Sequence, residues 1–79
     1  MEIGWWNRDE DGKKYQVHLT VFGGKLIFRY QPKRFEPWRD YPSPTDEDWE
    51  TALQQAERCL VRRLTTDKVV EKIRRRDLT

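Results

Sequence analysis

Two runs of alternating apolar and polar residues flank Gly23-Gly24 and constrain the fold more than any other feature of the sequence. Residues 14–22 and 25–31 each place an apolar side chain at every second position. Alternation at period two is typical of a β-strand with one buried face. Glycine readily adopts the positive φ that a tight hairpin turn requires. The segment therefore predicts an antiparallel hairpin that ends before Pro32, which has no amide hydrogen for a strand ladder.

A two-residue turn sets the pairing of these strands and divides their side chains between two faces. The pairing joins Phe22 to Lys25 and Val17 to Tyr30, and both strands then agree on which face is apolar. The predicted core face holds Tyr15, Val17, Leu19, Val21, Leu26, Phe28 and Tyr30. The opposite face, called the outer face below, holds Gln16, His18, Thr20, Phe22, Lys25, Ile27, Arg29 and Gln31.

Residues 2–8 are predicted to add a third strand, because an isolated hairpin is only marginally stable in water. Residues 9–12 supply the turn. An even-length loop places Trp5 on the outer face and Trp6 on the core face, whereas an odd loop or a bulge at Gly12 reverses the two. Only one of the adjacent indoles can point inward from a regular strand. We take Trp5 as the outward ring and as a candidate contact residue.

Residues 32–44 form a connection that contains all four prolines of the chain. The same stretch also carries aromatic residues, which are uncommon in an ordinary solvated loop. We therefore expect it to lie extended against the body of the domain. Trp38 or Tyr41 is expected to close one end of the core.

Two helices are predicted after this connection. The first covers residues 45–64, where Thr45 and Asp48 form a near capping box and further acidic residues suit the positive end of the helix dipole. Apolar residues then recur at three- and four-residue spacing, which gives one buried stripe of Trp49, Ala52, Leu53, Ala56 and Leu60. Residues 66–76 are predicted as a second, shorter helix or as a bent continuation of the first, with an apolar stripe of Val69, Val70 and Ile73.

These elements predict a single small α+β domain over residues 1–79. Its sheet, a three-stranded antiparallel meander within residues 2–31, has the long helix packed on one face, and the short C-terminal helix follows. A chain of 79 residues holds one domain at most and can bury only a small core. The other face of the sheet is then free to contact something else.

Several classes of protein are excluded by composition. The chain has one cysteine and one histidine, so neither an intramolecular disulfide nor a zinc site of Cys and His ligands can form. No apolar run approaches the roughly 18 residues of a transmembrane helix. The first residues lack the pattern of a signal peptide, so we expect a cytoplasmic protein that does not enter membranes.

No group of residues typical of catalysis is visible. His18 is predicted on the outer face without an acidic partner, and Cys59 is predicted on the first helix at the edge of the core. Ser43, the only serine, lies at the helix start. The acidic residues 9–11 resemble the start of a calcium loop, but the residue at its twelfth position is Thr20 rather than Glu. We therefore expect no enzyme, no metal and no cofactor.

The leading prediction is a small non-catalytic module that binds a protein partner or a second copy of itself. Aromatic and arginine side chains mixed on one surface are typical of protein-binding hot spots. The outer face and the stripe of the second helix are the two candidate surfaces, unless the proline-rich segment or that helix covers the outer face. The predicted contact residues are Trp5, His18, Phe22, Ile27, Arg29, Val69, Val70 and Ile73.

The alternative is a nucleic-acid-binding protein. Aromatic rings that stack on bases and cations that contact phosphates occur together on the sheets of single-strand-binding proteins. The formal net charge is only +2, but residues 58–79 carry eight basic and three acidic groups. The residues of this alternative are Trp5, His18, Lys25, Arg29, Lys72, Arg74, Arg75 and Arg76.

The order of three strands and a helix over residues 2–64, with Trp and Arg on the sheet, resembles in outline two groups of DNA-binding domains. These are the plant AP2-type and the integrase arm-type domains, which read the major groove with three strands. No specific motif accompanies the outline, so the resemblance is an analogy of fold and implies nothing about particular residues.

Overall fold

The computed structural model describes residues 1–78 and shows an antiparallel sheet with two helices. The strands follow one another across the sheet in chain order. In chain order the elements are β1 (Glu2–Arg8), β2 (Lys14–Phe22), β3 (Lys25–Gln31), β4 (Arg39–Asp40), α1 (Asp46–Val61) and α2 (Asp67–Arg74). The predicted α+β class is confirmed. The sheet has four strands rather than three, because the proline-rich connection returns along β3 and adds the two-residue β4.

The hairpin of β2 and β3 has the predicted register. Val17 pairs with Tyr30 and Phe22 with Lys25. Gly23 and Gly24 have φ of 58° and 76°, and two successive positive φ values are the signature of the type I′ turn. This turn twists in the same sense as the strands, so it fixes the pairing that sends the apolar side chains to one face.

The register of β1 corrects the prediction for its two tryptophans. Trp5 pairs with Val17 and faces the core, whereas Trp6 pairs with Gln16 and lies on the outer face. The physical reason is the five-residue loop 9–13, an odd length. Asp9 closes this loop, since its backbone amide donates to the Lys13 carbonyl at 3.0 Å and its carboxylate accepts the Lys13 amide at 2.9 Å.

The core lies between one face of the sheet and the two helices. Ala52 and Ala56 have no exposed surface, and these small side chains let α1 approach the sheet closely. The Phe28 ring sits between Trp49, at 4.9 Å between centroids, and Trp5, at 6.3 Å, both in edge-to-face contact. The buried apolar residues are Ile3, Val17, Leu19, Leu26, Phe28, Trp49, Ala52, Ala56, Val70 and Ile73.

Helix α2 folds back onto α1 and completes this core, which corrects the proposal of a second contact surface. Val70 is 4% exposed and Ile73 is 1% exposed, so neither can reach a partner. Val69 is half-buried and packs against the same core. Arg74 links the two helices through ion pairs with Glu71 on its own helix and Glu57 on α1.

Candidate interaction surface

The outer face of the sheet keeps large apolar side chains in contact with solvent. Trp6 is 63% exposed on β1, and Phe22 is 78% exposed at the end of β2. Ile27, predicted on this face, pairs with Thr20 and is half-buried. The core residues that the helices contribute all pack on the other face. The outer face is therefore available for contact with another molecule.

His18 lies on this face as predicted, and its ring packs between a glycine and a tryptophan. Gly4 is its partner on β1, and a Cβ on Gly4 would lie only 3.2 Å from His18 Cδ2. The absence of a side chain at Gly4 thus leaves room for the imidazole. On the other side the Trp38 ring lies 5.5 Å from the His18 ring, between centroids, at an interplanar angle of 47°. His18 serves here as a platform that holds Trp38.

Trp38 therefore lies on the outer face, and Tyr41 takes the predicted role at the end of the core. The Trp38 side chain remains 41% exposed although it rests on His18. The proline-rich segment thus contacts the outer face at His18, through Trp38, and at Gln31, whose Nε2 donates to the Glu36 carbonyl at 2.8 Å. Tyr41 follows β4, packs against the core and meets the rings of Tyr15 and Tyr30.

Phe35 is an exposed aromatic residue that the sequence analysis did not single out. It is 90% exposed and has φ of 70°, in the left-handed region that a bulky residue rarely adopts. The guanidinium of Arg34 lies 5.1 Å from the centre of its ring. The loop is closed by the Glu36 amide, which donates to the Lys33 carbonyl at 3.1 Å. A strained residue that packs against little of its own domain is a candidate for function.

Four cations and two acidic residues occupy outward-facing positions of the strands that form this surface. The cations on outward-facing register positions are Arg8, Lys14, Lys25 and Arg29, and the acids are Glu2 and Asp40. Arg29 and Asp40 are direct partners on β3 and β4. The surface therefore carries more positive than negative groups. Its exposed aromatic rings can also contact apolar groups of a ligand.

The predicted basic cluster of α2 is largely occupied by contacts within the chain. Lys72 Nζ donates to the Gly24 carbonyl at 2.6 Å, which attaches α2 to the hairpin turn. Arg74 pairs with acidic side chains of both helices, and Arg76 pairs with Asp46. Arg75 is exposed at the end of α2. Most of these cations are therefore engaged with acceptors of this chain rather than gathered into one free basic site.

A buried carboxylate connects the start of α1 to the sheet. Asp48 has no exposed surface, and its two oxygens accept four hydrogen bonds. Oδ1 accepts from Trp5 Nε1 at 2.9 Å and from Asn7 Nδ2 at 2.8 Å. Oδ2 accepts from the Tyr41 hydroxyl at 2.6 Å and from the Thr45 amide at 3.1 Å. The last bond belongs to the capping box that the sequence predicts.

These contacts shift the acidity of two groups. Burial by itself raises the pKa of the Asp48 carboxyl, but the hydrogen bonds from Trp5, Tyr41, Thr45 and Asn7 outweigh burial and hold the pKa below its ordinary value. Burial, followed by the hydrogen bond to Asp48, raises the pKa of the Tyr41 hydroxyl far above its ordinary value. A carboxylate that accepts four hydrogen bonds is held as an anion, which suits a structural anchor rather than a proton carrier.

A pocket of about 690 Å³ lies between α1, α2 and the hairpin turn. Val21, Leu60 and Val69 are among its lining residues, together with charged side chains of α2. Within residues 1–78, no group of three or more His, Cys, Asp or Glu side chains is placed to hold a metal ion. In the same part of the chain, no helix combines the length and the apolar character needed to cross a bilayer.

Comparison with known proteins gives no relative. No protein-family model matches the chain, and neither a curated protein nor a solved structure is significantly similar to it.

Proposed function

We propose that the chain is a small non-catalytic module that binds a protein partner through the outer face of its sheet. One observation carries the proposal: Trp6, Trp38 and Phe22 remain exposed on a face that both helices leave open. Tryptophan is enriched at the centres of protein interfaces, where a rigid ring excludes much water at little cost in entropy. Isolated exposed apolar residues are common, but three aromatic rings on one side of a small sheet favour a contact surface.

The charges around the rings favour a partner segment that combines apolar and acidic side chains. Cations outnumber acids on this face, and Arg29 stands near its centre, beside His18. Apolar side chains of the partner would contact Trp6 and Trp38, while its carboxylates would face Arg29 and Lys14. Phe35, on the adjoining loop, would extend the apolar contact.

The proposal is tested with a random peptide library displayed on phage and selected on the immobilised wild-type protein. We expect enriched peptides that contain both apolar and acidic residues. The affinity of a synthetic enriched peptide should fall at least about tenfold for Trp6→Ala, because truncating a tryptophan that a partner buries costs more than about 1 kcal/mol. Binding is measured by isothermal titration calorimetry.

Val61→Ala is the matched control, because Val61 is 84% exposed on α1, away from the sheet. This variant should bind the peptide with unchanged affinity. Selection that yields no peptide sensitive to Trp6→Ala would count against the proposal. Peptides that lose affinity equally for both variants would also contradict it.

The second candidate function, binding of single-stranded nucleic acid, is supported by the excess of cations beside exposed rings on the outer face. The probe is an oligothymidylate, whose bases would quench the fluorescence of Trp6 and Trp38. This function requires quenching that weakens steeply with salt, because each phosphate contact releases counterions. Absence of quenching at low salt leaves the protein partner as the supported function.

A cytoplasmic location forms part of the proposal. Cys59 is a free, half-buried thiol that packs against the core. The cytoplasm keeps thiols reduced, so a free cysteine is compatible with this location. The thiol and His18 lie on opposite sides of the sheet, so His18 cannot act as a base for the thiol.

A further inference from the structure

The free edge of β1 exposes a row of backbone hydrogen-bonding groups. The Val21 amide donates to the Met1 carbonyl at 2.8 Å, so odd-numbered residues of this strand direct their backbone groups toward β2. The even-numbered residues Glu2, Gly4, Trp6 and Arg8 therefore direct theirs away from the sheet. Among residues 1–78, no strand pairs with this edge.

One side chain partly protects the edge. Gln55 of α1 donates from Nε2 to the Gly4 carbonyl at 3.3 Å, a long and exposed hydrogen bond. Such a contact can be replaced by a backbone amide at little cost, since it is weak and open to water. Strand edges of this kind are sites at which another strand adds.

The sequence of β1 is complementary to itself in the antiparallel direction. With Trp5 at the centre, Glu2 of one chain stands opposite Arg8 of the other, and Gly4 stands opposite Trp6. Both charged residues are exposed, and neither makes an ion pair within the described part of the chain. Gly4 has no side chain that could collide with the large Trp6 ring opposite it, so these pairs fit the register.

The neighbouring registers lack this complementarity. Only a shift by two positions keeps the even-numbered residues, whose backbone groups point away from the sheet, opposite one another. One shift places Gly4 opposite Gly4 and Glu2 opposite Trp6. The other places Trp6 opposite Trp6 and Gly4 opposite Arg8. Neither brings Glu2 to Arg8, so charge selects the register centred on Trp5.

We infer that two copies of this chain form a symmetric dimer by antiparallel pairing of their β1 strands. The pairing joins the two sheets into one eight-stranded sheet, with an isologous interface about a two-fold axis. It uses the edge of the sheet, so it goes beyond the proposed binding through the outer face. The dimer would place Trp6 of both copies near the middle of a doubled outer face.

The charge pairs give a direct test by sedimentation-equilibrium centrifugation. We expect concentration-dependent dimers of the wild type. Glu2→Arg alone and Arg8→Glu alone each place like charges opposite one another twice, and each should raise the dimer dissociation constant at least about tenfold. The double variant Glu2→Arg/Arg8→Glu restores opposite charges and should restore the dimer. An equimolar mixture of the two single variants should also form dimers.

Lys25→Glu is the control, since it changes net charge as Arg8→Glu does but lies at the hairpin turn. Its dimer should be as stable as that of the wild type, and circular dichroism verifies that every variant is folded. A wild type that stays monomeric up to about 1 mM would overturn the inference. A dimer that is indifferent to both single reversals, or that the double variant does not restore, would overturn it as well.

Discussion

Asp48 shows how one residue can connect two elements that are distant in sequence. The sequence identifies it as part of a helix cap, and the structure confirms this role through the bond between its backbone amide and the Thr45 hydroxyl at 3.1 Å. Its bonds to Trp5 and Asn7 could not be predicted. Those bonds require the inward-facing register of β1, which depends on whether the loop before β2 has an odd or an even length.

Asp48→Asn should lower the free energy of unfolding by about 3 kcal/mol at pH 7, because an amide cannot accept all four buried hydrogen bonds. The lowered pKa of Asp48 stabilises the fold above its unfolded value of about 4, and this stability is lost as pH falls through the folded-state pKa. The difference between wild type and variant should therefore shrink in acid. Urea denaturation at several pH values measures both effects.

Asp46→Asn is the matched control for this measurement. Its side chain is 86% exposed in the first turn of α1, where it pairs with Arg76. An exposed ion pair contributes less than about 1 kcal/mol. A loss at position 48 no greater than the loss at position 46 would show that Asp48 is not the buried anchor described above.

At the scale of elements, the hairpin and the start of α1 could be predicted because each has a local cause. The positive φ values of Gly23 and Gly24 determine the hairpin turn, and the capping box of Thr45 and Asp48 determines where α1 begins. The ends of both helices could not be predicted in this way. After α1 and α2 the chain turns at Arg63 and Arg76, with φ of 60° and 55°. Arginine gives no sequence signal for a left-handed helix end, where glycine is the usual residue.

The loop between β3 and β4 provides a prediction of its own. Phe35→Gly should leave the free energy of unfolding unchanged or raise it by up to about 1 kcal/mol. The left-handed backbone costs phenylalanine about 1–2 kcal/mol, which exceeds the entropy that glycine loses on folding. The 90% exposed ring contributes little packing in return. Thermal and urea unfolding measure the change.

Phe35→Ala separates the two contributions, since it removes the ring but keeps the Cβ. Alanine remains strained at this positive φ, so the substitution should not raise the free energy of unfolding. If Phe35→Gly destabilises the protein by more than about 1 kcal/mol, the ring packs against the domain, and its candidacy as a contact residue fails.

At the scale of the whole molecule, the division of the sheet into a covered and an open face follows from the alternation in residues 14–31. The placement of α2 does not follow from its sequence. Its apolar stripe fits an exposed docking helix as well as a helix that folds back. Packing of Val70 and Ile73 on the core decides between the two, and this packing depends on contacts with other elements that the sequence of α2 alone does not specify.

Tryptophan oxidation, mapped by mass spectrometry after a brief hydroxyl-radical pulse, tests the two-faced sheet most directly. Trp5 and Trp6 are adjacent in the chain, so only the direction in which each ring points distinguishes them. We expect rapid oxidation of Trp6, which lies open on the outer face, and slow oxidation of Trp5 and Trp49, which pack on the core side. Oxidation of Trp5 faster than Trp6 would contradict the register of β1 and, with it, the surface assigned to binding.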